Sequence, residues 1–211
     1  MEYKSQHHQD EFVIKYFNKM KNGVFVDIGA HDGESLSNTY ALEKEYNWNG
    51  ICVEPMPHEY KKLTECRNCI TYNCAIYDKN GVEKFTLVDS DGYPDMLSGI
   101  SKDITIKHMS GILSESSRMG AKLRYIDVQT RVLNEILEEN NLFDIDFLSV
   151  DVEGAELKVL NTVDFDKFHI KLIIFENGEN TNEVRDFLIN KGFKYFKRLG
   201  IDDAFINIRL K

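Results

Sequence analysis

Apolar and polar positions along the chain follow two alternating rhythms. Short apolar runs of five to seven residues give way to stretches in which apolar residues recur every three or four positions, and this alternation is the signature of a parallel sheet covered by helices on both faces. The runs predict strands at 24–28, 50–54, 70–76, 146–151 and 172–176, with a further short strand near 126–128. Between them the spacing predicts helices. An opening helix over about 10–22 has Asp10 as its N-cap, an apolar face of Phe12, Ile14, Tyr16, Phe17 and Met20, and Gly23 as its stop. Later helices are expected after Thr130, with Val132, Leu133, Ile136 and Leu137 as the buried stripe, and over 154–161 and 181–191. The turn Asp78-Lys79-Asn80-Gly81 predicts that Val82–Val88 returns as an antiparallel partner, and 193–199 with 204–210 reads as a closing antiparallel pair.

One segment breaks the rhythm. From Asp89 to Tyr125 the residues Gly92, Pro94, Gly99, Gly111 and Gly120 interrupt any long period, so the segment reads as an insertion or lid. The expected organisation is a single domain over 1–211 with no internal repeat.

Composition narrows the classes of partner. The formal net charge is −9, from 26 Lys and Arg against 35 Asp and Glu, which argues against a nucleic-acid backbone as the main partner. No apolar segment reaches the length of a membrane span, and Met1-Glu2-Tyr3-Lys4-Ser5-Gln6 lacks the apolar core of a signal peptide, so a cytoplasmic location is expected. Cys66 and Cys69 form a lone C-x-x-C without the second pair that a zinc knuckle needs. Reduced thiols at these positions and at Cys52 and Cys74 are the expectation.

The candidate chemistry begins where the first strand ends. Val24-Phe25-Val26-Asp27-Ile28 runs into Gly29-Ala30-His31-Asp32-Gly33-Glu34-Ser35, a glycine-bearing turn whose backbone N–H groups, with those of a helix starting at Ser35, would face a ligand. His31 stands where the dinucleotide fingerprint needs its second glycine for close approach of a pyrophosphate, which disfavours NAD. About twenty residues on, the second apolar run ends in Val53-Glu54-Pro55, where a carboxylate can accept both hydroxyls of a ribose. Two later strands end in Asp151 and in Glu176-Asn177 at the same edge. These three oxygen-bearing side chains can hold a hard divalent cation such as Mg²⁺, or Asp151 or Glu153 can act as a general base without one.

Together, Asp27-Ile28-Gly29-Ala30-His31-Asp32-Gly33, Val53-Glu54-Pro55, Asn73-Cys74-Ala75-Ile76-Tyr77-Asp78 and Val150-Asp151-Val152-Glu153-Gly154-Ala155-Glu156 resemble the FkbM family of S-adenosylmethionine-dependent O-methyltransferases. Ser5-Gln6-His7-His8-Gln9-Asp10 is similar to the lead-in of many members. The resemblance implies an α/β class I methyltransferase fold, Rossmann-like, with a seven-stranded, mostly parallel sheet of order 3-2-1-4-5-7-6. It implies methyl transfer to a hydroxyl, most often of a sugar or glycan. S-adenosylmethionine would be bound by Asp27, Gly29, Ala30, His31, Gly33, Ser35, Glu54, Pro55, Asn73, Ala75 and Asp151. Glu54 would hold the ribose and Asn73 to Ala75 would flank the adenine. Asp151, Glu176 and Asn177 would take Mg²⁺, while Asp151, Glu153, Glu176 and His31 are the candidate catalytic groups.

On the acceptor side, Ser98 and Lys122 are the substrate candidates, and the lid's cations would suit a nucleotide sugar or acidic glycan. Two other readings keep the fold. A nucleic-acid 2′-O-methyltransferase would need a basic groove, and a non-catalytic S-adenosylmethionine-binding module would not need the acids at the later strand ends.

Overall fold

A computed structural model of the chain describes residues 3–89 and 95–210. The elements, in chain order, are α1 (Gln9–Tyr16), β1 (Val24–Ile28), α2 (Tyr40–Tyr46), β2 (Asn49–Val53), α3 (Pro57–Cys66), β3 (Ile70–Tyr72), β4 (Ala75–Ile76) and β5 (Gly81–Asp89). A short 3-10 turn (Asp95–Leu97) leads to β6 (Gly99–Ile100), α4 (Ile106–Met119), β7 (Lys122–Arg131), α5 (Leu133–Glu139) and β8 (Asp144–Val150). The chain closes with α6 (Glu156–Asn161), β9 (His169–Glu176), α7 (Glu183–Asn190), β10 (Phe193–Leu199) and β11 (Asp202–Asn207).

Seven strands form the main sheet in the order β3-β2-β1-β8-β9-β11-β10. The five from β3 to β9 are parallel, and β11 runs antiparallel between β9 and β10, so that β10 points the same way as the five. Renumbered within this sheet the order is 3-2-1-4-5-7-6, the class I methyltransferase arrangement.

Side-chain alternation along each strand divides the core into two layers. Val26 and Ile28 of β1 point to one face with Leu148 and Val150 of β8, where Leu133, Ile136 and Leu137 of α5, Val159 and Leu160 of α6 and Leu188 of α7 cover them. Phe25 and Phe147 point to the other face, under Val13 and Ile14 of α1, Leu42 of α2 and Leu63 of α3. Fully burying each such Phe or Leu contributes about 1.5–3 kcal/mol. A second sheet, β4-β7-β5-β6, packs Phe85, Ile100 and Val128 onto Met56, Ala75, Tyr77 and Ala155. This apolar contact lays the second sheet against the carboxyl-end loops of the first.

Several element boundaries differ from the sequence reading. The opening helix ends at Tyr16 rather than near 22, because Asn18 and Lys19 take left-handed backbone angles and fold the chain back. The predicted strand over 70–76 is two strands belonging to different sheets, broken at Asn73 and Cys74. Thr130 lies within β7 and its hydroxyl is bound to Lys79 O, so it does not cap the next helix, which starts at Leu133. The strand expected at 126–128 is ten residues long.

Within the proposed insertion, Gly92 and Pro94 lie outside the described residues. Gly111 does not interrupt anything. It sits inside α4, a helix capped by Thr105, whose side chain accepts the His108 N–H, and closed by Gly120 at positive φ. Glycine costs helix stability without forbidding it, and α4 buries Ile112. Among the described residues no helix is long and apolar enough to cross a membrane.

Candidate functional site

Strand register builds the site. Ile28 stands beside Val53 in β2 and beside Val150 in β8, and Val150 stands beside Phe175 in β9. The residues that follow, Gly29, Glu54, Asp151 and Glu176, therefore fall in one row along the carboxyl edge of the sheet, where open α/β sheets bind ligands. β11 runs the other way, and its first residue Asp202 pairs with Glu176.

A cavity of about 250 Å³ opens along this row. Of the predicted cofactor residues, Asp27, Gly29, Ala30, His31, Ser35, Glu54, Pro55, Ala75 and Asp151 line it. Gly29, at φ +87°, lets the turn pass against β8: a Cβ there would stand 1.8 Å from the Asp151 carbonyl oxygen.

Glu54 is buried, and its carboxylate is aimed by two backbone donors. The His31 N–H lies 2.9 Å from Oε2 and the Met56 N–H 2.7 Å from Oε1. Each oxygen keeps a lone pair for a hydroxyl. Burial pushes the Glu54 carboxyl up to about 7, against the pull of these two donors and of the His31 charge.

Asp27 is also buried but faces inward. It accepts from Thr39 Oγ1 at 2.6 Å, and burial raises its carboxyl above the usual range despite this bond and the nearby Arg67. Arg67, from the C-x-x-C segment, is itself buried and ties α3 to this loop through Glu43 Oε2 (2.7 Å), Gly33 O (3.0 Å) and Thr39 Oγ1 (3.0 Å). All four cysteines are free thiols, with Cys69 and Cys52 sulfurs 3.5 Å apart.

Two predicted cofactor residues stand elsewhere. Gly33, at φ +83°, turns against α3, where a Cβ would strike Leu63 and Arg67; packing, not ligand approach, demands glycine there. The exposed Asn73 side chain donates to Glu54 O (2.8 Å) and Pro55 O (3.2 Å) from outside the cavity, so it braces the turn after β2; Cys74 beside it lines the wall. The expected helix start at Ser35 also shifts: Ser35 is bound back to Asp32, and α2 begins at Tyr40.

The acids divide similarly. Ligand oxygens of Asp151, Glu153 and Glu176 all lie within 4.8 Å of one another. Asp151 is reached by solvent through the cavity yet is surrounded by protein and other carboxylates. Burial first, then the charges of Glu176 and Asp202, push its carboxyl well above the usual range. Glu153 is raised well above it by burial, Glu176 and Asp151, and Glu176 reaches about 8 through burial, Glu156 and Asp202.

Asn177 does not join them. Its Oδ1 accepts the Thr181 N–H at 2.9 Å, and its Nδ2 donates to Thr181 O and to Asp203 Oδ2, so the amide is committed to holding the turn before α7. Glu156 folds back onto the turn that precedes its helix, accepting the Gly154 N–H at 3.1 Å.

His31 is not free to act as a base near neutral pH. Burial works to lower its pKa, but the carboxylates of Asp32, Asp95 and Glu59 outweigh that and hold it at about 10. The imidazole keeps its proton, and with it no lone pair to take another.

Sequence reasoning missed several lining residues. Gln6 and Gln9 come from the amino-terminal segment, where Gln9 Nε2 donates to Asp202 Oδ2 at 2.6 Å. Asn38 donates to Ser149 Oγ and leaves its buried Oδ1 unpartnered in the cavity wall. Only the glutamines carried a signal, as members of the lead-in motif.

A second cavity, about 530 Å³, lies between α4, α6 and residues 177–184 and shares Leu97, Glu153 and Glu176 with the first. Ser98 lines the first cavity. Lys122 lines neither, because it lies at the exposed start of β7 opposite Asp89. Of the lid's other cations, Lys102 pairs with Glu83, Arg118 with Glu115 and Arg124 with Asp89.

A family model of the methyltransferase FkbM domain matches residues 27–195. The chain belongs to the FkbM methyltransferase family. Its glycine turn, Glu54 and later strand-end acids all lie within the matched region, and the family implies S-adenosylmethionine as the methyl donor. Solved structures similar to this FkbM-family chain include a methyltransferase FkbM from Methylobacillus flagellatus KT, at 12% identity and a TM-score of 0.47, covering 91% of this chain and 50% of that one. The METTL16 MTase domain is similar at 12% identity and a TM-score of 0.48, covering 93% and 64%. Precorrin-6y C5,15-methyltransferase from Geobacter metallireducens GS-15 is similar at 11% and 0.46, covering 93% and 84%. The chain thus spans half the length of the M. flagellatus protein. No curated protein matches it significantly.

Proposed function

We propose that this chain transfers the methyl group of S-adenosylmethionine to a hydroxyl of a small-molecule acceptor, a sugar or glycan. The observation that carries the reading is the pair of cavities joined at Glu153 and Glu176, one lined by the glycine turn and Glu54, the other open beside the same acids. Glu54 would accept the ribose hydroxyls. The carboxylates of Asp151 and Glu176 suit a ligand that carries both a sulfonium and an ammonium, and Asn38 Oδ1 offers the ammonium a further acceptor.

In the transfer, the acceptor oxygen forms a bond to the methyl carbon as the sulfur–methyl bond breaks and its electron pair returns to sulfur. The hydroxyl proton passes to a carboxylate. A carboxylate whose pKa is raised is the stronger base once ionised, and Glu176, at about 8, with Glu153 and Asp151 beside it, would supply that base in its ionised form. Residues 95–125 would form the acceptor-side insertion of a single methyltransferase unit, with Ser98 at the cavity wall.

The acceptor side is acidic. Glu115, Glu153, Glu156, Glu176, Glu179 and Glu183 line the second cavity against one lysine, Lys107, and one histidine, His108. That charge disfavours the nucleotide sugar and the nucleic acid that the sequence left open, and it favours an uncharged or amino-bearing glycan. The three-carboxylate cluster of Asp151, Glu153 and Glu176 also fits a hard divalent ion by its donor set. Mg²⁺ there would stabilise a developing alkoxide.

Calorimetric titration with S-adenosylhomocysteine, with Mg²⁺ and again with a chelator, tests the cofactor. Release of S-adenosylhomocysteine during incubation with neutral, amino and nucleotide sugars then tests the acceptor class. Glu54→Ala is expected to weaken cofactor binding, and Asp151→Asn to leave most binding and suppress transfer. Absence of saturable binding by the folded protein would overturn the reading.

A further inference from the structure

Beside the cofactor cavity lies a second polar cluster that methyl transfer does not use. His31, from the glycine turn, meets Glu59, from the first turn of α3, and Asp95, from the 3-10 turn. His31 Nε2 stands 3.1 Å from Asp95 Oδ2 and 3.7 Å from Glu59 Oε2. Asp95 and Glu59 are almost wholly buried, at 0% and 1% exposure, and His31 is 9% exposed.

The cluster is incompletely satisfied. Of the five buried side-chain atoms without a hydrogen-bond partner among the described residues, three are here: His31 Nδ1, Glu59 Oε2 and Asp95 Oδ1. Buried polar groups almost always find partners, and ionised carboxylates are the costliest to leave without them. The nearby cations do not fill the need. Lys62 (2.7 Å) and the half-exposed His58 (3.3 Å) both lie against Glu59 Oε1 on the outer side, and Oε2 faces inward.

We propose that His31, Glu59 and Asp95 form a site for a borderline divalent cation of the Zn²⁺ class, with His58 available as a fourth ligand. Metal bonds of about 2.0–2.2 Å to nitrogen and oxygen set neighbouring tetrahedral ligands roughly 3.3–3.5 Å apart. The separations of 3.1 and 3.7 Å bracket that spacing, and the ligand atoms of His58, Glu59 and Asp95 fall within 4.8 Å of one another.

The mixed donor set selects the metal. Imidazole nitrogen suits zinc, iron or nickel more than magnesium, and two carboxylates balance a double positive charge. The ion takes the place of the His31 proton. Nδ1–H then faces Asp32 Oδ1 at 3.7 Å, in the direction from which a carboxylate orients a metal-bound histidine. Because Asp95 immediately precedes the cavity-lining Met96, Leu97 and Ser98, the ion fastens that wall to α3 and to the loop that holds Glu54.

The test is calorimetric titration of chelator-stripped, cofactor-free protein with Zn²⁺. It reads the metal alone, so its outcome is separate from that of the methyl-transfer reading. One ion per chain is expected at this site, with affinity reduced about tenfold or more in both Glu59→Gln and Asp95→Asn and unchanged in Asp151→Asn. No saturable binding, binding indifferent to both substitutions, or binding lost in Asp151→Asn would overturn the site. Should either buried variant fail to fold, Co²⁺ added to the unsubstituted chain decides. Intense visible ligand-field bands with paramagnetically shifted His31 ring protons support the site, and the pale spectrum of hydrated Co²⁺ with unshifted His31 overturns it.

Discussion

The backbone N–H of His31 donates to Glu54 Oε2 at 2.9 Å, so the loop after β1 aims the acid that ends β2. One strand end thereby sets the hydrogen-bonding direction of its neighbour before any cofactor arrives. Such preorganisation removes part of the ordering cost of binding.

Glu54→Ala is expected to weaken S-adenosylhomocysteine binding by about 10- to 100-fold, the loss of hydrogen bonds to a charged acceptor worth roughly 1.5–3 kcal/mol. Glu54→Gln, which keeps one carbonyl acceptor, should fall between. Calorimetry at fixed pH checks both, and equal affinity in all three proteins would contradict the ribose assignment.

Like-charge crowding among Asp151, Glu153 and Glu176 should make the apo protein less stable as pH rises. In the unfolded chain Glu176 loses its proton near 4.5, whereas burial and its acidic neighbours delay that to about 8 in the fold. Below 4.5 both states hold the proton. Between 4.5 and 8 the folded state binds more protons than the unfolded, so this contribution to stability declines across that window and levels above it. Thermal melts in chelator should show the decline. Glu176→Gln should flatten it and raise Tm at pH 8.5 by roughly 2–4 °C, the response of a chain this size to about 1 kcal/mol.

Arg67→Ala should be among the most damaging substitutions outside the main cores. It would leave Glu43 Oε2 without its buried partner and remove the donors to Gly33 O and Thr39 Oγ1, at a cost of about 3–5 kcal/mol for breaking a buried pair. Arg67→Lys should recover only part, because an ammonium cannot reproduce the guanidinium fork. Denaturant unfolding measures both.

Gly29→Ala should destabilise the fold and abolish cofactor binding together. Its methyl would overlap the Asp151 carbonyl oxygen, and its positive φ adds strain of about 1–3 kcal/mol. A folded Gly29→Ala protein with unaltered cofactor affinity would show that this close approach does not shape the cavity.

Much of the fold was legible in the sequence because the signals are local. The apolar run at 24–28, broken by Gly29 and followed by an apolar run ending in Glu54, carries its structure within a few residues. Where the reading failed, a distant contact prevailed. Thr130 looks like a helix cap, but pairing with β5 draws it into a ten-residue strand. Asn177 has the right atoms for a metal, but Thr181 and Asp203 claim its amide. Asn73 sits at the expected position yet points its amide at the Glu54 and Pro55 carbonyls.

By itself, then, the sequence determined the alternating elements, the family, the glycine turn and the acids that end the strands, because periodicity and turn chemistry act over a few residues. The tertiary structure decided what those groups meet. Strand register set Gly29, Glu54, Asp151 and Glu176 in one row, β11 brought Asp202 to Glu176, and the 3-10 turn carried Asp95 to a histidine 64 positions earlier. Such meetings depend on hydrogen-bond register and on packing between remote segments, which no local pattern of residues encodes.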